Sequence, residues 1–155
     1  MSDTTGAASP RPQPDDSAGF LTDGGAGALA DRMGIRVLEA GASRTVATMP
    51  VAGNTQPYGL LHGGATVVLA ETLGSIAASL HAGPGRGAVG IEVNATHHRG
   101  VRDGVVTGVA TALHLGRRTA AYEIEVTDEA GRRVATARLT CLVLDTVPAP
   151  GGSSA

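Results

Sequence analysis

The stretch Gln56-Pro-Tyr-Gly-Leu-Leu-His62-Gly63-Gly64, followed by Ala65-Thr-Val-Val-Leu69-Ala-Glu71-Thr72, holds two kinds of group that can act on one acyl carbonyl. Glu71 is the only carboxylate among Val67, Val68, Leu69, Ala70 and Leu73. Burying a carboxylate there is costly unless it is used or paired. Gly63 and Gly64 tip the loop that feeds this apolar run. Glycines at a helix start are expected to leave N–H groups bare at the positive end of its dipole. A polarised N–H pair and a desolvated glutamate suit hydrolysis of an activated acyl group. In the plainer reading Gly63 is a turn residue and Glu71 snorkels or pairs with an arginine.

These residues need elements to hold them. Leu69, Leu73, Ile76 and Leu80 fall at helical spacing, which predicts a core-facing helix from Gly64 to about Leu80, stopped by Gly83-Pro84-Gly85. Ser75 lies four residues after Glu71, on the same helix face. Beyond the helix the period changes to two. Val89, Ile91, Val93 and Ala95 form one expected strand face, with Gly90, Glu92, Asn94 and Thr96 on the other. Val105 to Leu115 reads as a long strand. Tyr122, Ile124 and Val126 alternate with Glu123, Glu125 and Thr127, and Asp128-Glu-Ala-Gly131 is a hairpin turn. Ala135, Ala137, Leu139, Cys141 and Val143 share a face, so Cys141 reads as core and not as a nucleophile. Upstream, Ala26 to Met33 predicts a short helix ending at Gly34, and 35–39 and 45–49 predict two strands around a turn at Gly41. A long helix against antiparallel strands is an α+β layer architecture.

The chain of 155 residues fits one domain, 23–146, between Pro- and Ser-rich tails at 1–22 and 147–155 that read as disordered. A net charge of −2 offers no general attraction to nucleic acid or anionic membranes, and 2% aromatics leaves no base-stacking platform. A lone cysteine and an N-terminus without a basic segment followed by an apolar run fit a cytoplasmic protein. No stretch approaches 18 uninterrupted apolar residues, so no membrane span is expected.

Three blocks carry a resemblance: Gln56-Pro-x-Gly59-Leu-Leu-His62-Gly63-Gly64 with Leu69-Ala-Glu71, Asn94-Ala-Thr-His97-His98-Arg99, and His114-Leu-Gly116-Arg117. In this order and spacing the chain resembles the hotdog-fold acyl-CoA thioesterases over about residues 34–145. It looks closest to the bacterial 1,4-dihydroxy-2-naphthoyl-CoA thioesterases of menaquinone synthesis and the proofreading thioesterases of siderophore synthesis. Tyr58 stands where close relatives are expected to carry Phe. The resemblance implies a sheet of six antiparallel strands wrapped round the central helix. It also implies dimers paired into tetramers, and hydrolysis without a metal or other cofactor, coenzyme A being part of the substrate.

Carried onto this sequence, the resemblance makes Glu71 the catalytic carboxylate, as general base or as nucleophile forming an anhydride, and the sequence leaves both open. Gly63 is the oxyanion donor. Gln56 would hold the acyl carbonyl or water, His62 would shape the loop or contact the thioester, and Ser75 and Thr72 would hold water or line the acyl pocket. The substrate set is Gly90, His97, His98, Arg99, Gly100, His114, Leu115, Gly116, Arg117, Arg118 and Thr119. Arg99 and Arg117 are the candidates for CoA phosphates, since two strand ends can converge and arginine holds phosphate with forked hydrogen bonds. No metal site is expected: adjacent His97 and His98 on a strand point to opposite faces, and the HExxH spacing is absent.

The leading substrate is 1,4-dihydroxy-2-naphthoyl-CoA. The alternatives are proofreading of acyl groups on a carrier protein and a non-catalytic acyl-CoA-binding module. One inference needs no family. Gly63 and Glu71 are eight residues apart, roughly 12 Å along a helix. Both must approach one carbonyl, so the site calls for two subunits.

Overall fold

In the computed structural model, which describes residues 26–146, a long helix lies in the curve of a single sheet. The expected tails fall outside the described residues. In chain order the elements are α1 (Ala28–Arg32), β1 (Arg36–Ala40), β2 (Arg44–Pro50), α2 (Gly63–Ala82), β3 (Gly87–His97), β4 (Val105–Leu115), β5 (Thr119–Thr127) and β6 (Arg133–Leu144). The six strands run β1-β2-β4-β5-β6-β3, every neighbour antiparallel. The periodicity predicts a long helix against antiparallel strands, and the six-stranded wrap is the one that the family resemblance implies.

The period of α2 explains what it buries. Leu69 and Leu73 are fully buried and Ile76 nearly so, whereas Leu80 is half-buried. Each full burial of such a side chain is worth about 1.5–3 kcal/mol. They meet the inward residues of the strands, Met49, Val106, Ala110, Tyr122, Ile124 and Leu139 among them. Glycine permits the close approach. A Cβ on Gly74 would sit 2.5 Å from Leu139 Cδ2, and one on Gly108 would sit 2.6 Å from Leu73 Cδ1. By length and mean hydropathy (1.3) α2 could cross a membrane, a property the search for unbroken apolar runs does not detect. Its ten buried residues, packed against five strands, make it the core helix instead.

β5 and β6 follow the alternation read from the sequence. Tyr122, Ile124 and Val126 are buried, as are Ala135, Ala137, Leu139, Cys141 and Val143. Tyr122 donates its hydroxyl to Ala42 O at 3.0 Å, and burial raises its pKa. Burial pushes the Cys141 thiol up to about 11, which suits an inert core residue.

β3 departs from expectation. A bulge between Gly90 and Glu92 breaks its register with β6. Val93 and Ala95 face the core with Ala88, but Val89 and Ile91 are 39% and 58% exposed. One extra residue reverses the side-chain direction, so a single alternating face does not run the length of this strand.

Candidate active site

The loop before α2 is locked by its own backbone. Gln56 N–H donates to Leu60 O, Gly59 N–H to Gln56 O, and Leu61 N–H to Val101 O. The left-handed residues between β2 and α2 are Gly53 (φ 82°) and Gly59 (φ 72°), whereas Gly63 and Gly64 are ordinary helical residues. His62 is the N-cap, and its Nδ1 accepts from Gly64 N–H at 2.8 Å. The expectation of two bare N–H groups is therefore corrected. Gly64 is capped, while Gly63, first residue of the helix, has no intrahelical acceptor.

The His97 ring lies against Gly63: a Cβ there would stand 2.9 Å from His97 Nε2. His97 thus belongs with the N–H donor, at the carbonyl end of the site. His98 turns away, its Nε2 3.0 Å from Thr136 Oγ1. Gln56 uses its side-chain carbonyl inside the loop, accepting from Tyr58 N–H at 2.6 Å, which leaves both amide N–H groups free to donate to a ligand.

Glu71 also needs a correction. Within one chain it is exposed, not buried. Successive helix residues turn by about 100°, so the apolar neighbours of Glu71 in sequence point into the sheet while its own side chain points out. Its carboxylate rests over the bulge of β3, where a Cβ on Gly90 would stand 3.1 Å from Glu71 Oε1. Gly90 is therefore a seat for the carboxylate. Ser75, one turn on, reaches the thiol of Cys141, the cross-strand neighbour of Gly90. Glu71, Thr72 and Ser75 all line a cavity of about 740 Å³ between α2 and the segment leading into α1. Sequence reasoning missed the far wall of this cavity, residues 26–30, and missed Ser79 and Ala88. Ser79 was within reach, because 72, 75 and 79 share helical spacing.

The remaining candidates divide into two groups. Arg99 is exposed, and Gly100 lies under Leu60, whose Cδ1 is 3.2 Å from where a Cβ would stand. At the other end, His114 and Leu115 close β4, and Gly116 turns into Thr119 through its N–H to Thr119 O. His81 Nε2 meets Gly116 O at 2.8 Å, Arg86 donates to Arg117 O at 3.3 Å, and Arg118 O accepts from Val143 N–H. The expected convergence of the two groups does not occur within one chain. On β6, His97 stands beside Ala135 but Thr119 beside Leu142, seven residues away, or roughly 23 Å of strand. Among the described residues, no three His, Cys, Asp or Glu side chains gather as metal ligands would.

This geometry has counterparts. A family model described as "Thioesterase superfamily" matches residues 58–135, which span Gly63, Glu71, Gly90, His97 and Arg117. The "Proofreading thioesterase EntH" of Cronobacter turicensis is 49% identical over 119 residues, 76% of this chain and 87% of that one. A solved Pseudomonas aeruginosa thioesterase, a glutamine-to-alanine variant, aligns with a TM-score of 0.75 at 41% identity, covering 86% of this chain and 96% of that one. A Staphylococcus aureus thioesterase, at 29% identity, has a TM-score of 0.71 over 75% of this chain and 98% of its own. In that protein the residues replaced in two solved variants are a glutamine and a glutamate fifteen positions apart, the spacing of Gln56 and Glu71 here. The family model, a relative 49% identical over most of the chain and these solved thioesterases agree, and this chain belongs to the thioesterase superfamily as a hotdog-fold enzyme.

Proposed function

We propose that this thioesterase proofreads: it releases wrongly loaded acyl or aryl groups from phosphopantetheine thioesters, those on a carrier protein included. The observation that carries this reading is the 49% identity with a proofreading thioesterase over 76% of the chain. In this reading 1,4-dihydroxy-2-naphthoyl-CoA is the second substrate. Thiol detection tests it, with one aryl group presented on CoA and on a carrier protein. Equal or faster turnover on the carrier is expected; turnover confined to naphthoyl-CoA overturns the reading. Both kinds of thioester are made in the cytoplasm, which is where the enzyme would act.

The chemistry needs a base or nucleophile and an oxyanion donor. Glu71 draws a proton from water as the water oxygen bonds to the carbonyl carbon, or attacks that carbon itself to form an anhydride that water then hydrolyses. Gly63 N–H, at the positive end of α2, takes the charge that develops on the carbonyl oxygen. The C–S bond breaks, the thiolate takes up a proton, and free acid and thiol leave.

Both groups lie on one unbroken helix, so a second subunit completes each site. β3 is the strand to carry the contact. It is an edge of eleven residues, largely exposed, with Ile91 uncovered. A long bare edge invites pairing. Antiparallel pairing of two β3 edges with Gly90 opposite the partner's His97 sets Glu71 near the partner's Gly63. The same two-fold brings the partner's Arg99 to the end that holds Arg117, which restores the phosphate pair that one chain separates.

Two expected results follow from these placements. Gly90→Ala pushes a methyl against Glu71 Oε1. A displacement near 1 Å costs up to about 10²-fold in rate, so kcat should fall by about 10- to 10²-fold while KM changes little. Steady-state kinetics check this, and an unchanged kcat would mean that the carboxylate reacts from another position. Arg99→Ala or Arg117→Ala should raise KM for CoA thioesters more than it lowers kcat, as lost uniform binding does. The rise should shrink with a pantetheine thioester lacking the nucleotide; an equal loss on both substrates assigns these arginines a structural role.

A further inference from the structure

The walls of the cavity beside Glu71 differ in chemistry and in origin. One wall is α2, where Thr72, Ser75 and Ser79 present hydroxyls beside aliphatic Val68 and Ile76. The facing wall is the segment leading into α1 and its first turn, where Ala26, Gly27 and Ala28 are small and Leu29 is 57% exposed. Among the described residues, no Lys, Arg, Phe, Tyr or Trp lines the space, and Glu71 is the one charged side chain there. The facing wall also lies outside residues 58–135, the part matched by the family model.

We propose that this cavity seats the acyl group, that residues 26–29 are its specificity-determining wall, and that it accepts bulky uncharged acyl groups while rejecting acyl groups that end in a carboxylate. The assignment rests on the thioesterase reading and says which thioesters that activity selects. A space of about 740 Å³ falls within the range of small-molecule sites and leaves room for an aryl or bicyclic group. An acyl chain ending in a carboxylate would bring a second negative charge toward Glu71, with no cation among the described lining residues to meet it. Desolvation and like-charge repulsion then act together. Selectivity by size falls to the α1 wall because its side chains are the small ones. Ala28 is exposed, and the core contact of α1 is made by Ala30, so a larger residue at 28 extends into the cavity without displacing the core.

The test uses the full-length enzyme and CoA thioesters of matched length. For wild type, kcat/KM for adipoyl-CoA should lie at least about 10²-fold below that for hexanoyl-CoA, as expected for burying an unpaired carboxylate. In Ala28→Trp, kcat/KM for naphthoyl-CoA should fall at least about tenfold relative to acetyl-CoA, a larger penalty than one methylene carries. Ala28→Leu should move the ratio the same way by less, which keeps the test valid should the tryptophan variant not fold. Arg32→Trp, on the same helix but outside the cavity, should leave the ratio unchanged. Equal turnover of adipoyl and hexanoyl thioesters overturns the charge assignment. A uniform loss for both acyl sizes, or no change in Ala28→Trp and Ala28→Leu, overturns the wall. Failure of the thioesterase reading looks different: wild type would hydrolyse none of the four.

Discussion

Glu71→Gln should lower kcat for thioester hydrolysis by at least about 10²-fold, the low end for a positioned proton transfer. Glutamine keeps the length and shape of the side chain, and with them the fit over Gly90, but it can neither take a proton from water nor attack a carbonyl. No packing is lost, since the side chain is exposed within the chain and the buried face of α2 is formed by other residues. Substrate binding should persist, because the cavity walls and the arginines are unchanged. Single-turnover assays with thiol detection, beside circular dichroism to verify the fold, measure both quantities. A folded variant with near wild-type kcat would remove Glu71 from the reaction.

Two inactive variants should restore each other. Glu71→Ala removes the carboxylate. Gly63→Leu places a side chain where a Cβ already stands 2.9 Å from His97 Nε2, which moves the N–H donor. Each homodimer lacks one component in both of its sites. In a mixed dimer one site receives both lesions and the other receives neither, given that each site draws its donor from one subunit and its carboxylate from the other. After random subunit exchange half the dimers are mixed, and activity should approach about a quarter of wild type. The physical ground is the continuity of α2 from Gly63 through Glu71, which holds the pair roughly 12 Å apart in one chain. Verified mixed dimers without recovered activity would mean that both groups act within one subunit or that one is misassigned.

Much of this could be read without coordinates, and what was legible has a common character. The extent of α2, its buried stripe, and the core faces of β5 and β6 rest on periods of 3.6 and two, and therefore on residues within a turn or a pleat of one another. The separation of Gly63 and Glu71 is of the same kind, because an unbroken helix converts sequence distance into length. The order and spacing of three blocks, Gln56–Glu71, Asn94–Arg99 and His114–Arg117, were enough to indicate the family. The failures share a character too. The bulge at Gly90 was invisible because it exists only in the pairing of β3 with β6. The apolar neighbours of Glu71 in sequence predict burial, but burial depends on which side of α2 the sheet covers. His97 moved from the nucleotide group to Gly63, and the arginine ends came apart, because strand order and register set those distances across dozens of intervening residues. Residue order along the chain is sufficient for the local elements and the reactive residue types. The tertiary structure decided their companions: Glu71 with Gly90, Gly63 with His97, and residues 26–30 facing α2 across the cavity, since contacts between distant segments depend on how the sheet curves around the helix and not on any period within the chain.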